Sequence, residues 1–225
     1  MNRTRTIDTT TPPGDRSSDT VWYTAYGSNT HLERLSHYLT GGRPRGAART
    51  YPGCRDPRPP AASVPVELPG TLYFATHSPV WRGGRAFYDP GEPGTVRARA
   101  HLVTAGQFSD LVAQEMYREP GRDLDLSEVL GRGRAELGGG RYETLVCPGV
   151  LDGVPVLTFT APWTLHDVEW TRPSAAYLRH LVAGLWGGGG AGGGRAAPPP
   201  PARGRPPRRR GAPPPPGGAA RPRPR

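Results

Sequence analysis

The chain contains no lysine: all 29 of its basic residues are arginine. A phosphate-binding P-loop needs its lysine, so Gly138-Gly139-Gly140 reads as a flexible connection and not as a nucleotide loop. Cysteine is nearly absent too. Cys54 and Cys147 make neither a metal-binding pattern nor a disulfide framework, and read as two reduced thiols of a cytoplasmic protein. No apolar run approaches the ~18–20 residues of a membrane span, which argues against a membrane protein. The first twenty residues are polar and have no apolar stretch of the kind a secretory signal requires. The six histidines are scattered, with no H-E-x-x-H or related grouping, so the ligand set of a metal hydrolase is missing and no metal is expected. Ser28 is not set in a G-x-S-x-G elbow, and a role in loop conformation fits it better than one as nucleophile.

Glycine (32) and proline (29) are abundant instead, and together with the arginines they point to a GC-rich coding sequence. The charge is unevenly spread. Nine arginines and no acidic residue lie from Gly187 onward, so the net charge of +10 falls to +1 over residues 1–186. A basic nucleic-acid-binding face is therefore not implied for the folded part; only the tail has the charge for non-specific contacts with phosphates. Three regions follow: a disordered leader over 1–20, a folded domain over 21–186 and a disordered Gly/Pro/Arg-rich tail over 187–225. The tail reads either as a segment that contacts RNA or acidic partners, or as an out-of-frame extension, since residue usage changes abruptly after Leu185.

Within the domain the pattern predicts strands at Val21–Tyr26, Ser63–Leu68, Thr71–Ala75, Arg85–Tyr88, Val96–Val103, Tyr142–Cys147 and Val154–Thr160. Asp152-Gly153 is a two-residue hairpin turn. Helices are expected at Thr30–Leu39, Thr104–Met116 and Ser174–Leu185, the first two opened by the capping boxes Thr30/Glu33 and Thr104/Gln107. Many short strands and few helices predict an α+β fold, a compact mixed β-barrel or curled sheet flanked by helices.

Two features carry chemistry. The segment Trp22-Tyr23-Thr24-Ala25-Tyr26-Gly27-Ser28-Asn29 is a β-prone run ending in a small-residue turn before a helix. Such a turn leaves backbone N–H groups free for a carboxylate or phosphate. The second is Glu115. Phe108, Leu111 and Val112 make an apolar stripe, and Glu115 takes its i+7 position, with Asp110 and Gln114 expected on the surface. A carboxylate on a buried stripe is desolvated and its pKa rises toward neutrality, as a proton shuttle requires. A frayed last turn that lets Glu115 reach solvent is the other reading.

The same segments resemble the γ-glutamylcyclotransferase-like family. Tyr26-Gly27-Ser28-Asn29 is similar to its substrate loop, and Gly70-Thr71-Leu72-Tyr73 to its Gly-x-Leu-Tyr strand. Arg97 to Val103 is similar to the strand before its catalytic helix, and Leu111-Val112-Ala113-Gln114-Glu115 to the helix end bearing its catalytic glutamate. The resemblance implies the family's compact αβ barrel, Glu115 as catalytic acid/base, and Tyr26, Gly27, Ser28, Asn29 and Tyr73 as substrate-binding residues. Tyr73 is as readily a core aromatic. It further implies cyclisation of a small-molecule γ-glutamyl amide to 5-oxoproline without a cofactor. A non-catalytic binding or interaction module on the same fold is the alternative. In the family the glutamate is commonly followed by Gly, whereas here Met116-Tyr117 follow, so the acceptor side of the pocket differs.

Overall fold

The structure, a computed structural model, describes residues 3–11, 19–44 and 49–186. The expected disordered tail over 187–225 and part of the expected leader lie outside the described residues. The elements in chain order are β1 Arg5–Thr6, β2 Thr20–Ala25, a 3-10 turn Ser28–Thr30, α1 Leu32–Thr40, β3 Ala62–Pro69, β4 Thr71–Ser78, β5 Gly83–Asp89 and β6 Thr95–Thr104. Then follow α2 Ala105–Glu115, α3 Ser127–Arg132, β7 Arg134–Glu136, β8 Thr144–Leu151, β9 Val154–Thr160 and α4 Ala175–Trp186. Seven strands form one curled sheet in the order β1-β3-β6-β2-β9-β8-β7, and β4 and β5 pair as a separate hairpin. This is the mixed α+β architecture the sequence predicts.

Strand β2 lies at the centre of the sheet, antiparallel to β6 and parallel to β9. Its side chains alternate between two cores, as the two-residue period of a strand requires. Val21, Tyr23 and Ala25 pack with Leu35, Tyr38 and Leu39 of α1 and Phe108, Leu111 and Val112 of α2. Trp22 and Tyr26 point to the other side, with Val66, Leu68 and Tyr88 from the sheet and Tyr177 and Leu181 of α4. Full burial of each such apolar side chain contributes roughly 1.5–3 kcal/mol, so both helices beside β2 are firmly seated.

The Thr104/Gln107 capping box forms as expected: Thr104 Oγ1 accepts from Gln107 N at 3.0 Å and Gln107 Oε1 accepts from Thr104 N at 3.0 Å. The Asp152-Gly153 turn joins β8 to β9, with φ of 54° and 74°, the left-handed values of a primed hairpin turn. Three expectations are corrected. The Thr30/Glu33 box does not form, because Ser28–Thr30 is itself a 3-10 turn and α1 starts later, with His31 at its N-cap. Asp110 and Gln114 are buried, not exposed, because residues 53–58 and α1 cover the face on which they lie. Asp110 accepts from Arg55 N at 2.8 Å and from its Nε at 3.0 Å, and Gln114 Nε2 donates to Tyr38 O at 3.0 Å.

The third correction concerns the leader. Arg5–Thr6 pairs in parallel with Val66–Glu67 of β3 at one end of the sheet, and Ile7 is buried. Asp8 then exchanges two backbone hydrogen bonds of 2.9 Å with Val150 of β8. The segment thus ties one edge of the curled sheet to a strand near the other and gives it its barrel-like closure. Gly149 permits this approach: a Cβ there would lie 2.1 Å from Asp8 O.

Candidate active site

A cavity of about 450 Å³ opens where β2 runs out of the sheet into the 3-10 turn. Its walls include Tyr26, Gly27, Ser28 and Asn29 together with Glu115, so five of the six site residues expected from the sequence meet in one place. Tyr73 does not. It is buried in a separate core, stacked on Phe87 at 5.6 Å, and its hydroxyl donates to Trp163 O at 3.4 Å. The inward face of the β4–β5 hairpin explains this, and the core-aromatic reading of Tyr73 is the one that holds.

The turn is held from behind. Gly27 O accepts from Thr30 N at 3.1 Å and from Thr30 Oγ1 at 2.9 Å. His180 Nε2 of α4 donates to Ser28 O at 3.0 Å, and His101 Nε2 of β6 donates to Asn29 O at 3.2 Å. A carbonyl can only accept, so Nε2 carries the proton in both rings. His101 Nδ1 then accepts from Ser63 Oγ at 2.8 Å. Burial drives the His101 pKa down to about 4, with Arg99 adding to the effect, and burial lowers that of His180 as well. Each peptide plane sets its N–H opposite its carbonyl. Anchoring the carbonyls of Gly27 and Ser28 therefore turns the N–H groups of Ser28 and Asn29 the other way. No hydrogen bond to the N–H of Gly27, Ser28 or Asn29 forms among the described residues. Gly27 has φ −103°, and a Cβ there would touch Tyr177 Oη only at 3.5 Å. Its want of a side chain therefore serves the open cavity side and no special backbone conformation.

Glu115 is the last residue of α2. Asn29 Nδ2 donates to its Oε1 at 3.4 Å and to Tyr23 Oη at 3.1 Å. Desolvation raises the Glu115 pKa above its ordinary value; hydrogen bonding from Tyr38 and Asn29 and the charges of Arg34 and Arg49 only moderate this. The carbonyl end of the helix dipole works in the same upward direction. Beyond Glu115 the helix closes in a Schellman motif, with Tyr117 N donating to Gln114 O at 3.2 Å and Arg118 N to Ala113 O at 2.8 Å. Tyr117 has φ +58° at the position where glycine is usual, and Arg49 lies 4.4 Å above its ring at the cavity rim.

Several lining groups were not legible in the sequence. Thr24 Oγ1, Asn29 Oδ1 and Arg34 Nε are buried beside the cavity without a hydrogen-bond partner among the described residues. Buried polar groups are rarely left unpaired, so these three set polar atoms just behind the cavity wall. Arg34, Arg49, Arg85 and Arg141 all reach the walls from separate segments. In an arginine-rich chain no single one of them stands out. No group of three or more His, Cys, Asp or Glu side chains comes together as a metal site among the described residues.

No protein-family model matches the sequence, and no curated protein sequence matches it either. Among solved structures the chain is similar to a gamma-glutamyl cyclotransferase at 15% identity and TM-score 0.43, over 76% of this chain and 80% of that one. It is similar to the uncharacterized protein loc79017 from Homo sapiens at 18% identity and TM-score 0.42, over 76% and 82% of the two chains. YkqA from Bacillus subtilis gives 17% identity and TM-score 0.37 over 75% of this chain, which spans 49% of that protein's length.

Proposed function

We propose that this cavity cyclises a γ-glutamyl amide to 5-oxoproline and releases an amine. The observation that carries the reading is the pairing of Glu115, a carboxyl held toward neutrality by burial, with the unpaired N–H groups of the turn beside it. In the ionised form Glu115 takes a proton from the substrate's α-ammonium. The freed amine attacks the γ-carbonyl of the same molecule and forms the five-membered ring. The negative charge that develops on the carbonyl oxygen is met by N–H donors already in place, the arrangement that most favours such a transition state. Glu115 then gives the proton to the departing nitrogen as the C–N bond breaks, takes the second proton from the ring nitrogen, and passes it to the released amine, which departs as its ammonium. A folded glutamyl chain brings its own amine to its own carbonyl, so the protein's main task is orientation. Within this scheme Gly27, Ser28 and Asn29 supply the anion cradle, Tyr26 braces the wall by donating to Phe159 O at 2.7 Å, and no step calls on a cofactor.

A panel of γ-glutamyl amides assayed for 5-oxoproline tests the scheme. Glu115→Gln keeps the shape and one accepting oxygen for Asn29 but cannot exchange a proton. General acid–base contributions of this kind are about 10²–10⁴-fold, so turnover falls by that factor while binding persists. Near-normal turnover by the Gln variant refutes the scheme. Tight binding with no 5-oxoproline from wild type leaves a binding module in its place.

A further inference from the structure

The charge of the cavity exceeds what a glutamyl group requires. Arg34, Arg49, Arg85 and Arg141 line it, against one carboxylate, Glu115. Among the described residues none of the four has a carboxylate within 4.0 Å. Their contacts are to neutral groups. Arg34 donates to Tyr51 Oη at 2.7 Å and keeps its buried Nε unpaired, and Arg49 donates to Gln114 O at 2.9 Å. Arg85 donates to Thr76 Oγ1 at 3.1 Å and to His77 O. Arg85 and Arg141 line the same wall, since Tyr142 Oη donates to Ala86 O at 3.1 Å and so brings the residues beside them together, and both are only partly exposed. Like charges gathered in a partly desolvated cavity are costly unless a counter-charge arrives with the ligand.

A γ-glutamyl unit does not bring that counter-charge. Its α-carboxylate and α-ammonium cancel, and one carboxylate needs no more than one or two guanidiniums. Arg49 donates to Gln114 O, next to Glu115, whereas Arg85 is held on the β4–β5 hairpin by Thr76 and His77, and Arg141 is brought beside it by the bond of its neighbour Tyr142 to Ala86 O. We propose that the amine released by this site bears at least two negative charges, as a dicarboxylate or a phosphomonoester does, and that Arg85 and Arg141 bind them. The inference rests on the cyclisation reading for where the anion lies on the substrate, and on the cavity's own charge for its presence.

The test is a set of matched pairs. γ-Glutamyl-glutamate is compared with γ-glutamyl-glutamine, and γ-glutamyl-O-phosphoserine with γ-glutamyl-serine, by 5-oxoproline release. A charge-assisted contact supports a roughly 10–100-fold preference for the anionic member of a pair. Preference in the first pair assigns a carboxylate ligand, and preference in the second a phosphoryl one. Raising the salt concentration shrinks either ratio, and Arg85→Gln with Arg141→Gln brings it close to one. Ratios within twofold in both pairs of the wild type overturn the inference. If no member yields 5-oxoproline, the cyclisation reading fails, and calorimetric binding of the same pairs to the wild type decides the present inference. A tenfold tighter anionic member sustains an anion site, and equal affinities end it.

Discussion

Gly184 of α4 faces the turn at the cavity. A Cβ built there would lie 2.4 Å from Thr30 Oγ1, 2.7 Å from His31 N and 2.8 Å from Thr30 C. The hydroxyl can rotate away; the two backbone atoms cannot. To restore contacts of about 3.5 Å, Gly184→Ala must push α4 and the turn apart by roughly 0.7 Å. The 3.0 Å bond from His180 to Ser28 O would then exceed a hydrogen-bond distance. Overpacking costs about 1–3 kcal/mol and the lost bond about 1 kcal/mol. Alanine's better helix propensity returns at most about 1 kcal/mol. The net loss is roughly 1–3 kcal/mol, a fall in Tm of about 2–4 °C for each kcal/mol in a domain of this size. Thermal unfolding measures it. Gly131 of α3 is the control, since a Cβ there meets nothing within 4 Å; Gly131→Ala should raise Tm. Binding of γ-glutamyl compounds should weaken in Gly184→Ala and not in Gly131→Ala. If both alanines stabilise the protein and binding is unchanged, α4 does not set the turn.

Further predictions concern charge and backbone. Glu115 has a folded pKa above its ordinary 4.5, so the native state binds its proton more tightly. Stability then falls as pH rises from about 4.5 toward the raised value, and Glu115→Gln should remove that slope in melts taken across the range. His101 acts with the opposite sign: its pKa is lowered from 6.5 to about 4, so its contribution is lost as pH falls through that window. An NMR titration should find its ring neutral, with the proton on Nε2, at pH 6. Tyr117→Gly relieves a left-handed residue worth about 1 kcal/mol but forfeits the Arg49 contact, so stability should change little while turnover of bulky substrates changes. Ending the chain at Trp186 should leave Tm unaltered; a drop of several degrees would mean that the tail packs on the domain.

What the sequence reveals and what it hides divide along the range of the interactions. The Thr104/Gln107 box and the Asp152-Gly153 turn are set within four residues, and both are as expected. Glu115 and the Gly27–Asn29 turn are each marked by a local signature at an element end, but that the two meet follows in the sequence only from the family resemblance. The same helical period misplaces Asp110 and Gln114, since their cover comes from residues 53–58 and α1, which no α2 pattern encodes. A strand of two residues, β1, has no period to read; its partner β3 lies some 60 residues downstream, and Val150, which bonds Asp8 just after it, some 140. Tyr73 follows its strand into another core. The arginine quartet exists only after folding.

The dependence of the turn on α4 also bears on how the protein is made. Ser28 and the imidazole that anchors it are 152 residues apart in the chain. Arg99 holds the end of the same helix through Gly184 O at 3.1 Å and Leu185 O at 3.2 Å. On the ribosome, the strands that frame the cavity are complete before α4 has emerged. The turn beside the cavity therefore takes its final anchor only once α4 has been made. A chain interrupted before Ala175 holds the strands that frame the cavity but not the imidazole that anchors Ser28 O.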